Sequence, residues 1–286
     1  MNVSVVIVSY NSMPYIEACV SSVYANLDLD LADFEMIIVD NYHEHDQRLY
    51  DLSTSYSNLK VIKSPKNGGF GYGNNIGVDQ SSGDVILFLN PDTKFLEPVF
   101  STIIDSFARY PEVGIIGCQQ VNDLFKSTPS YAIHYEKWNI LSVIMEKLFG
   151  RMWANKPRSD IFPWGSFMVV KRKDFIAAGC FDDGFFLDCE EADITRRLKP
   201  LKCLIAPLKI IHMVGATKTK STKLDLMRQF LVSLKYYHKK HGFSLKKTKV
   251  NLSLIYLCRV VIFILTGQFD KANLYRKYVH LIWRAT

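Results

Sequence analysis

The sequence lacks the hallmarks of several large protein classes. Only 15 of its 286 residues are glycine, and no Gly-X-Y or heptad repeat runs along it, which excludes collagen-like and coiled-coil chains. No apolar run reaches the ~18 uncharged residues of a membrane-spanning helix, which excludes a multi-pass membrane protein. Hydrophobic residues make up 48% of the chain and aromatic residues 13%, too much for wholesale disorder. The composition therefore indicates a globular protein with a sizeable core.

Several catalytic and targeting signatures are also missing. The chain has no Ser-His-Asp order, no G-x-S-x-G elbow and no Walker A pattern. Its six cysteines form no C-x-x-C pair, which predicts buried, reduced thiols of a cytosolic protein. The first residues carry no basic segment and no small-residue cleavage site, so the sequence predicts no signal peptide.

Charge is distributed unevenly along the chain. From Lys209 onward there are 16 Lys and Arg residues but only two acids, Asp225 and Asp270, whereas the first 208 residues carry 19 basic and 26 acidic residues. An acidic part suits metal binding or acid–base chemistry, and a basic tail suits an anionic partner such as nucleic acid or lipid. The tail carries no RRM, helix-turn-helix or zinc-finger signature.

Apolar runs alternate with helical patterns over the first 119 residues. Buried strands are predicted at Val3–Val8, Met36–Val39, Lys60–Lys63, Val85–Leu89 and Val113–Gln119, with later strands at Ile161–Val170 and Cys203–Ile211. Helices are predicted between them, including Tyr72–Gln80 and Leu96–Arg109, and after Thr217. Residues 120–160 are interpreted as a mobile segment over the site. This alternation predicts an α/β fold with a mostly parallel sheet flanked by helices.

Polar residues follow three of the predicted strands, at Ser9-Tyr10-Asn11, Asp40-Asn41 and Asn90-Pro91-Asp92. Ligands collect at the carboxyl ends of the strands in such sheets, so these residues predict a binding site. One carboxylate with substrate phosphates is a common way to hold Mg²⁺ or Mn²⁺, which makes Asp92 a candidate ligand. The alternative for Asp92 is a Pro-Asp turn that closes a strand.

The segment from Asn67 to Gly77 contains five glycines. Glycines let backbone approach a ligand closely, and amides ahead of a helix favour anions. The dinucleotide fingerprint does not fit, because Asn74 stands at its third glycine and the segment follows the third strand. A flexible surface loop is the alternative.

An acidic and aromatic segment runs from Phe181 to Asp193. Crowded carboxylates between aromatic side chains suit a general base. The alternative is a charged helix start in which Asp193 pairs with Arg197. His212, after the last strand, is either structural or a ligand of an ion held by Asp92.

Taken together, these motifs resemble the inverting family-2 glycosyltransferases of the GT-A fold, in their rhamnosyltransferase-like branch of bacterial polysaccharide synthesis. The resemblance covers roughly residues 3–215. It rests on these ordered blocks: Val5 to Asn11, Ile37 to Asn41, Asn67 to Gly77, Leu89 to Asp92 in place of a D-x-D, Gly165 to Val169, and Phe181 to Arg197.

The resemblance implies a role for each block. Glu191 would be the general base, where the family usually has Asp, and Glu190 or Asp193 would share its task. Asp92 and His212 would hold Mg²⁺ or Mn²⁺. Donor-binding residues would be Ser9, Tyr10, Asn11, Asp40, Asn67, Gly69, Phe70, Asn74, Asn75, Asn90 and Asp92. Residues on the acceptor side would be Trp164, Gly165 and Asp182.

The same resemblance implies a domain organisation and a cellular location. Residues 1–217 would form the GT-A domain, with a nucleotide-sugar half (1–119) and an acceptor and catalytic half (120–217), and residues 218–286 would form a basic amphipathic helical tail. The stretch Leu252–Leu265 contains Arg259 and is short for a membrane span, so it suits a helix in the interface of an anionic leaflet. The expected place is cytoplasmic, peripheral at the inner face of the plasma membrane. An ordinary helical cap on the domain is the alternative.

The expected reaction moves a sugar, rhamnose from dTDP-rhamnose in the first instance, to a lipid-linked glycan of O-antigen, capsule or other surface polysaccharide. A UDP-sugar transferase, for example one for galactofuranose, is the second possibility. Other classes are a nucleotidyltransferase, which would need a basic glycine-rich loop near the first strand, and a catalytically degenerate nucleotide-sugar or glycan-binding module. A nucleic-acid-binding protein is disfavoured by the acidic first 208 residues.

Overall fold

The computed structural model describes residues 1–42, 44, 46–153, 155–213 and 222–284. The described residues form two compact units. The first contains residues of 1–132, 155–186 and 190–213, and the second those of 133–153, 187–189 and 222–284. The predicted division between residues 217 and 218 lies outside the described residues.

Strands and helices alternate through most of the first unit, and helices make up most of the second. The strands are β1 Val3–Ser9, β2 Phe34–Asp40, β3 Leu59–Lys63, β4 Val85–Leu89, β5 Thr93–Phe95, β6 Val113–Val121, β7 Ser127–Thr128, β8 Tyr131–Ile133, β9 Ile161–Pro163, β10 Phe167–Lys171 and β11 Lys202–His212. The helices are α1 Met13–Ala25, α2 Gln47–Ser55, α3 Gly69–Asp79, α4 Phe100–Arg109, α5 Ile140–Trp153, α6 Arg172–Ala177, α7 Glu190–Arg197, α8 Lys223–His241, α9 Leu245–Leu265 and α10 Phe269–Arg284.

The core of the first unit is a sheet in the order β3-β2-β1-β4-β10-β6-β11-β5, with β7 beside β6. The first four strands run parallel, and all residues of β4 are buried. Such continuous apolar runs are typical of strands covered on both faces, which is why the sequence revealed them. The predicted α/β architecture is confirmed, but the sheet is mixed, since β10 runs antiparallel to both β4 and β6.

Two glycines of the segment 67–77 allow close packing of a helix on the sheet. The helix α3 begins at Gly69 rather than at Tyr72. A Cβ on Gly73 would lie 2.8 Å from Cγ1 of Val8, and one on Gly77 would lie 2.2 Å from Cγ1 of Val6. The glycines therefore let α3 pack closely on β1, and only Gly69, with φ +89°, needs glycine for its backbone conformation.

Two other predictions on local structure were wrong. The predicted strand Ile161–Val170 is two strands, β9 and β10, because Trp164–Ser166 forms a turn between them. The helix predicted from Leu96 begins at Phe100, and the residues before it include β5. The segment 120–160, expected to be mobile, contains β7, β8 and α5, and its residues 133–153 belong to the second unit.

The second unit is held by hydrogen-bonded helix ends and aromatic contacts. Thr222 and Asp225 form a reciprocal capping box at the start of α8, and Nδ2 of Asn251 donates to the carbonyl of Trp138 at 2.6 Å. Among the described helices, α9 is long and apolar enough to cross a membrane by length and composition. It begins seven residues before the predicted apolar stretch at Leu252.

The described cysteines are all free thiols. Four of them are buried, and burial raises the pKa of the Cys19 thiol to about 12. The expectation that all six are buried was wrong for Cys258, which is exposed on α9.

Candidate active site

The strand register brings the predicted site residues to one edge of the sheet. Ser9 pairs with Asp40 where β1 and β2 end, and Leu89 at the end of β4 pairs with Phe167 at the start of the antiparallel β10. The amide of Asn90 donates to the carbonyl of Ser166 at 3.1 Å. The turn before β10 therefore lies at the same edge as the carboxyl ends of the parallel strands.

An open pocket of about 330 Å³ lies beyond β1 and β2. Asp40, which is buried, borders it, and its carboxylate accepts hydrogen bonds from the Tyr42 amide at 3.1 Å and the Tyr50 hydroxyl at 3.0 Å. Burial and the hydrogen bond to Asp40 raise the pKa of Tyr50 to about 12, which keeps this hydroxyl a donor at neutral pH. The ring of Tyr42 meets the ring of Tyr10 edge to face at 5.2 Å. Further polar lining residues are Ser9, Asn11, Ser12, Glu44, Asp46 and Gln47.

The asparagines predicted to line the donor pocket make hydrogen bonds within the protein. Oδ1 of Asn67 accepts from Nδ2 of Asn41 at 3.0 Å, and Nδ2 of Asn74 donates to the carbonyl of Phe70 at 3.0 Å. Asn75 bonds both the amide and the carbonyl of Phe181, at 3.0 and 2.9 Å. The bonds of Asn75 hold α3 to the acidic segment. The asparagines therefore support the edge of the site through contacts within the protein.

Asp92 and His212 lie together, as the sequence suggested. Oδ1 of Asp92 is 3.4 Å from Nε2 of His212, and both residues are buried. The other ring nitrogen, Nδ1, is 2.9 Å from Oε1 of Gln120, whose Nε2 donates to Oγ of Ser166 at 2.6 Å. This orientation of the Gln120 amide places the imidazole proton on Nδ1, because Oε1 only accepts.

The resulting arrangement fits a divalent cation. Nε2 of His212 faces a carboxylate oxygen of Asp92, so the two atoms come together either through a proton on Nε2, as in an ion pair, or through a cation that both atoms bind. A metal-bound histidine usually donates its other N–H to an acceptor, as His212 does to Gln120. No group of three or more His, Cys, Asp or Glu lies together in the described part of the chain. Asp92 and His212 would thus be two protein ligands of an ion completed by other groups.

Glu191 lies beside the turn that precedes β10. Its Oε1 accepts from the Gly165 amide at 3.0 Å. A Cβ at position 165 would lie 3.0 Å from this oxygen and 2.7 Å from Cζ of Phe70. The glycine therefore leaves the space that the carboxylate of Glu191 and the ring of Phe70 occupy.

The other two acids proposed for catalysis are buried in α7. Asp193 is fully buried, and its Oδ2 accepts from Nε and Nη2 of Arg197 at 2.9 and 2.7 Å. Arg197 also donates to the carbonyls of Ala178 and Cys180. Asp193 thus anchors α7 to the segment after α6, and Glu190 is 2% exposed.

The remaining acceptor-side residues flank this edge. The Trp164 amide donates to the carbonyl of Ser130 at 2.9 Å, and its side chain is half-buried. Oδ1 of Asp182 accepts from the Gly184 amide at 2.8 Å and closes a turn.

Glu191 and Asp92 are connected by a continuous path through Gly165, Ser166, Gln120 and His212. Gln120, Ser166 and Tyr50 were not among the predicted site residues. Asp40 and Asp92 were selected because they are polar residues that follow a predicted strand. Gln120 follows the predicted strand Val113–Gln119 directly and meets the same criterion.

The comparisons with known proteins agree with this architecture. The sequence profile described as "Glycosyl transferase family 2" matches residues 4–178. The chain is 29% identical over 211 residues to "Rhamnosyltransferase WbbL" of Escherichia coli (strain K12), across 68% of this chain and 76% of that protein. It is 24% identical over 199 residues to "O-antigen biosynthesis protein RfbC" of Myxococcus xanthus, across 65% of this chain but only 15% of that protein.

Among solved structures, the mannosyltransferase PcManGT from Pyrobaculum calidifontis, in complex with GDP-Man and Mn²⁺, superposes with a TM-score of 0.60. The superposition covers 99% of this chain and 84% of that one, at 12% identity. Likeness at this identity shows the fold alone, and the predicted GT-A fold is thereby confirmed.

Proposed function

The chain belongs to glycosyl transferase family 2, and from this premise we propose that it is an inverting, metal-dependent transferase of cell-surface polysaccharide synthesis. It moves rhamnose from dTDP-rhamnose to a lipid-linked glycan. The rhamnosyl donor is supported by the relative named a rhamnosyltransferase, and the polysaccharide role by the relative named for O-antigen biosynthesis. A UDP-sugar such as a galactofuranose donor is the second possibility.

One observation carries the proposal. A candidate base, Glu191, and a candidate cation site, Asp92 with His212, are connected at the carboxyl edge of the sheet by hydrogen bonds, by the Gly165–Ser166 peptide and by the contact of His212 with Asp92. Ligands of α/β sheets bind at this edge. An acceptor hydroxyl and a sugar diphosphate would therefore meet between these groups.

The pocket beside Asp40 takes the nucleoside of the donor in this proposal. Its volume of about 330 Å³ and its polar lining suit a base and a ribose. The hydrogen bonds from Tyr42 and Tyr50 hold the Asp40 carboxylate in place, so its acceptor oxygens are oriented before the donor arrives. The exposed ring of Tyr10 offers a surface for stacking.

Asp92 and His212 would hold Mg²⁺ or Mn²⁺, and Gln120, which accepts from Nδ1 of His212, would leave Nε2 for the ion. When bound, such an ion neutralises charge that develops on the leaving diphosphate. Ser166 completes the support, because it accepts from the Gln120 amide and so prevents that amide from turning over.

Glu191 acts as the general base. Its carboxylate takes the proton of the acceptor hydroxyl while that oxygen bonds to the anomeric carbon and the bond from this carbon to the diphosphate oxygen breaks. One displacement inverts the configuration and requires no covalent glycosyl-enzyme. The Gly165 amide fixes Oε1 of Glu191, and the absent Cβ at position 165 makes room for a side chain one methylene longer than the usual Asp.

The acceptor is lipid-linked, so the enzyme works peripherally at the cytoplasmic face of the plasma membrane. The second unit supports this part of the proposal, since its helices carry a large excess of Lys and Arg over acids. Basic surfaces are attracted to the anionic lipids of that leaflet.

A thermal-shift screen of nucleotide sugars with Mn²⁺ or Mg²⁺ tests the proposal. A ligand that binds only the native state raises the melting temperature, so dTDP-rhamnose with metal is expected to raise it most. The donor found is then offered with a lipid-linked glycan, and glycan elongation is measured. A degenerate binding module would show the thermal shift but neither transfer nor donor hydrolysis, and this outcome would refute the enzymatic proposal.

A further inference from the structure

The exposed face of α9 is apolar. Val250, Leu254, Leu257, Val261 and Leu265 are all exposed and recur at intervals of three or four residues, which places them on one stripe of the helix. Phe269, at the start of α10, is 68% exposed, and Leu265 is 81% exposed. The stripe therefore runs about 22 Å along α9, from Val250 to Leu265, and ends at two large apolar side chains beside the α9–α10 turn.

This pattern differs from that of a helix on the surface of a soluble protein. Such a helix turns its apolar stripe to the core and its polar face to water. In α9 the residues packed inward include Thr248 and Ser253 beside Leu252 and Ile255, while the outward stripe is apolar. Contiguous exposed apolar surface of this extent marks a protein or membrane contact.

A membrane span does not fit the surroundings of α9, although its length and composition allow one. Arg259 lies in the middle of the helix and donates to the Tyr275 hydroxyl on α10 at 2.7 Å. The two helices are also joined by the Tyr256–Tyr275 ring contact at 5.2 Å and by the Trp283 indole, which donates to Ser253. α10 is too highly charged for hydrocarbon, so α9 would have to leave it in order to cross a bilayer.

Charge favours an anionic surface as the partner. Between residues 245 and 284 there are eight Lys and Arg residues and one acid, Asp270. Lys246 and Lys247 are exposed at the start of α9, and Lys271 is exposed two residues after Phe269. Basic side chains thus flank the apolar stripe at both of its ends, where they reach phosphate groups while the stripe enters the acyl boundary.

We propose that α9 lies in the plane of an anionic lipid leaflet, with its exposed stripe immersed and with Leu265 and Phe269 inserted deepest. The inference specifies the membrane contact of the proposed function and rests on that function for its purpose, which is to keep the active site next to lipid-linked acceptors. A helix in the plane leaves α9 and α10 packed as they are, because only the stripe changes its surroundings.

Vesicle flotation with the full chain tests the docking surface. The protein is expected to float with vesicles of phosphatidylcholine containing about one-third phosphatidylglycerol, and at least about tenfold less with phosphatidylcholine alone. The double variant Leu265→Glu/Phe269→Glu is expected to lose at least about tenfold in binding to the anionic vesicles. Equal flotation of the variant and the unmodified chain would overturn the proposal, as would equal binding to both kinds of vesicle.

Val232→Glu is the matched control. Val232 is 69% exposed on α8, in the same unit but off the stripe, so its replacement adds the same charge per substitution, one negative charge against the two of the double variant, and should leave flotation unchanged. Thermal unfolding of all variants confirms that the exposed substitutions leave the fold intact. Loss of flotation in the control as great as in the double variant would show that added negative charge, rather than the stripe, decides binding, and would also overturn the proposal.

Cys258 reports the depth of the helix. It is exposed on α9 next to Leu257, and an environment-sensitive dye on this thiol, in a Cys180→Ser background, reads the polarity around the stripe. We expect stronger quenching by lipids spin-labelled near the headgroup than by lipids labelled at the end of the acyl chain. The opposite order would indicate a crossing helix and contradict an in-plane one.

These outcomes separate the inference from the proposed function. The double variant keeps Asp92, His212 and Glu191, so it should still bind donor in solution. Normal donor binding without flotation of the unmodified chain would refute the docking surface alone, whereas flotation without donor binding would refute the proposed function alone.

Discussion

The two units of the chain differ in which residues depart from the usual distribution of burial. In the first unit the unusual residues are polar, since Asp40, Asp92, Gln120 and His212 are buried at one edge of the sheet. In the second unit they are apolar, with the exposed stripe of α9 as the main example. Buried polar groups and exposed apolar patches are the informative exceptions in a fold, and here the polar cluster of the candidate site lies in the first unit and the apolar stripe of α9 in the second.

The two units are specialised for different tasks. In the first unit the buried side chains of Asp40, Gln120 and His212 are held by hydrogen bonds, which give the geometric precision that catalysis needs. The stripe of α9 has no such fixing, because a fluid lipid surface requires apolar area and charge rather than exact positions. Substitutions at the candidate site of the first unit should therefore change catalysis but not membrane binding. Substitutions in the stripe of the second unit should change membrane binding but not catalysis.

The largest effect is expected for Glu191→Gln. The amide cannot take the proton of the acceptor hydroxyl, so transfer should fall about 10²–10⁴-fold. Initial rates of glycan elongation with the donor from the thermal-shift screen measure this change. Flotation of the variant should be unchanged, which sharpens the contrast between the units. Turnover near that of the unmodified enzyme would move the base to another residue.

Gln120→Leu tests the support behind the cation site. Without the acceptor for its Nδ1–H, His212 loses its fixed tautomer and orientation, and Mn²⁺ affinity should fall about 10–100-fold. Calorimetric titration of Mn²⁺ measures this without any turnover. Gln119→Leu is the matched control, since the neighbouring side chain takes no part in the Ser166–His212 path. Equal Mn²⁺ affinities for the two variants would show that His212 needs no support from Gln120.

Gly165→Ala should cost about tenfold in transfer or more, because the new methyl group would lie 3.0 Å from Oε1 of Glu191 and 2.7 Å from the ring of Phe70. A double-mutant cycle tests the cause. If position 165 acts through Glu191, the double variant with Glu191→Gln should be no slower than Glu191→Gln alone. Additive losses would mean that the turn has a separate task.

The smallest effect concerns Asp188, an exception in the second unit. Burial raises the pKa of this carboxyl to about 6, above the ~3.9 of an unfolded chain. The native state then binds the proton more tightly, so this group's stabilising contribution is present below about pH 4 and is lost as the pH rises to about 6. Asp188→Asn should therefore stabilise the protein by about 1–3 kcal/mol at pH 7.5 and by almost nothing at pH 4.

Urea unfolding at the two pH values measures this difference. Asn also tolerates the left-handed backbone at this position, where φ is +68°. A variant that is equally stabilised at both pH values would indicate that backbone conformation, rather than the carboxyl proton, is responsible.

The parts of the fold that could be predicted are those with a strong local pattern. The strand Val85–Leu89 was located to the residue because a central strand buried on both faces is a continuous apolar run. The reversal of β10 could not be predicted, since direction is set by which strands lie beside it rather than by its own residues. The same limit applies to residues 133–153, whose assignment to the second unit depends on distant aromatic partners such as Phe230.

The site was predictable to the extent that polar residues follow strands. Asp40, Asp92 and His212 were selected as candidates in this way, and His212 lies beside Asp92 because His212 pairs with Thr93 where β11 meets β5. The role of the glycines was not predictable, because close packing of α3 on β1 and a ligand cradle require the same residue type. Asp193 shows the same ambiguity, since a carboxylate four residues before an arginine suits an ion pair as well as catalysis.

We propose that Asp92 serves donor binding and Glu191 serves proton transfer at the same edge of the sheet. Calorimetric titration of the donor in the presence of Mn²⁺, carried out on Asp92→Asn and Glu191→Gln side by side, tests this division of roles. We expect the donor affinity of Glu191→Gln to lie within about threefold of that of the unmodified enzyme, and the donor affinity of Asp92→Asn to fall about tenfold or more. A loss of donor affinity in Glu191→Gln as large as that in Asp92→Asn would contradict it.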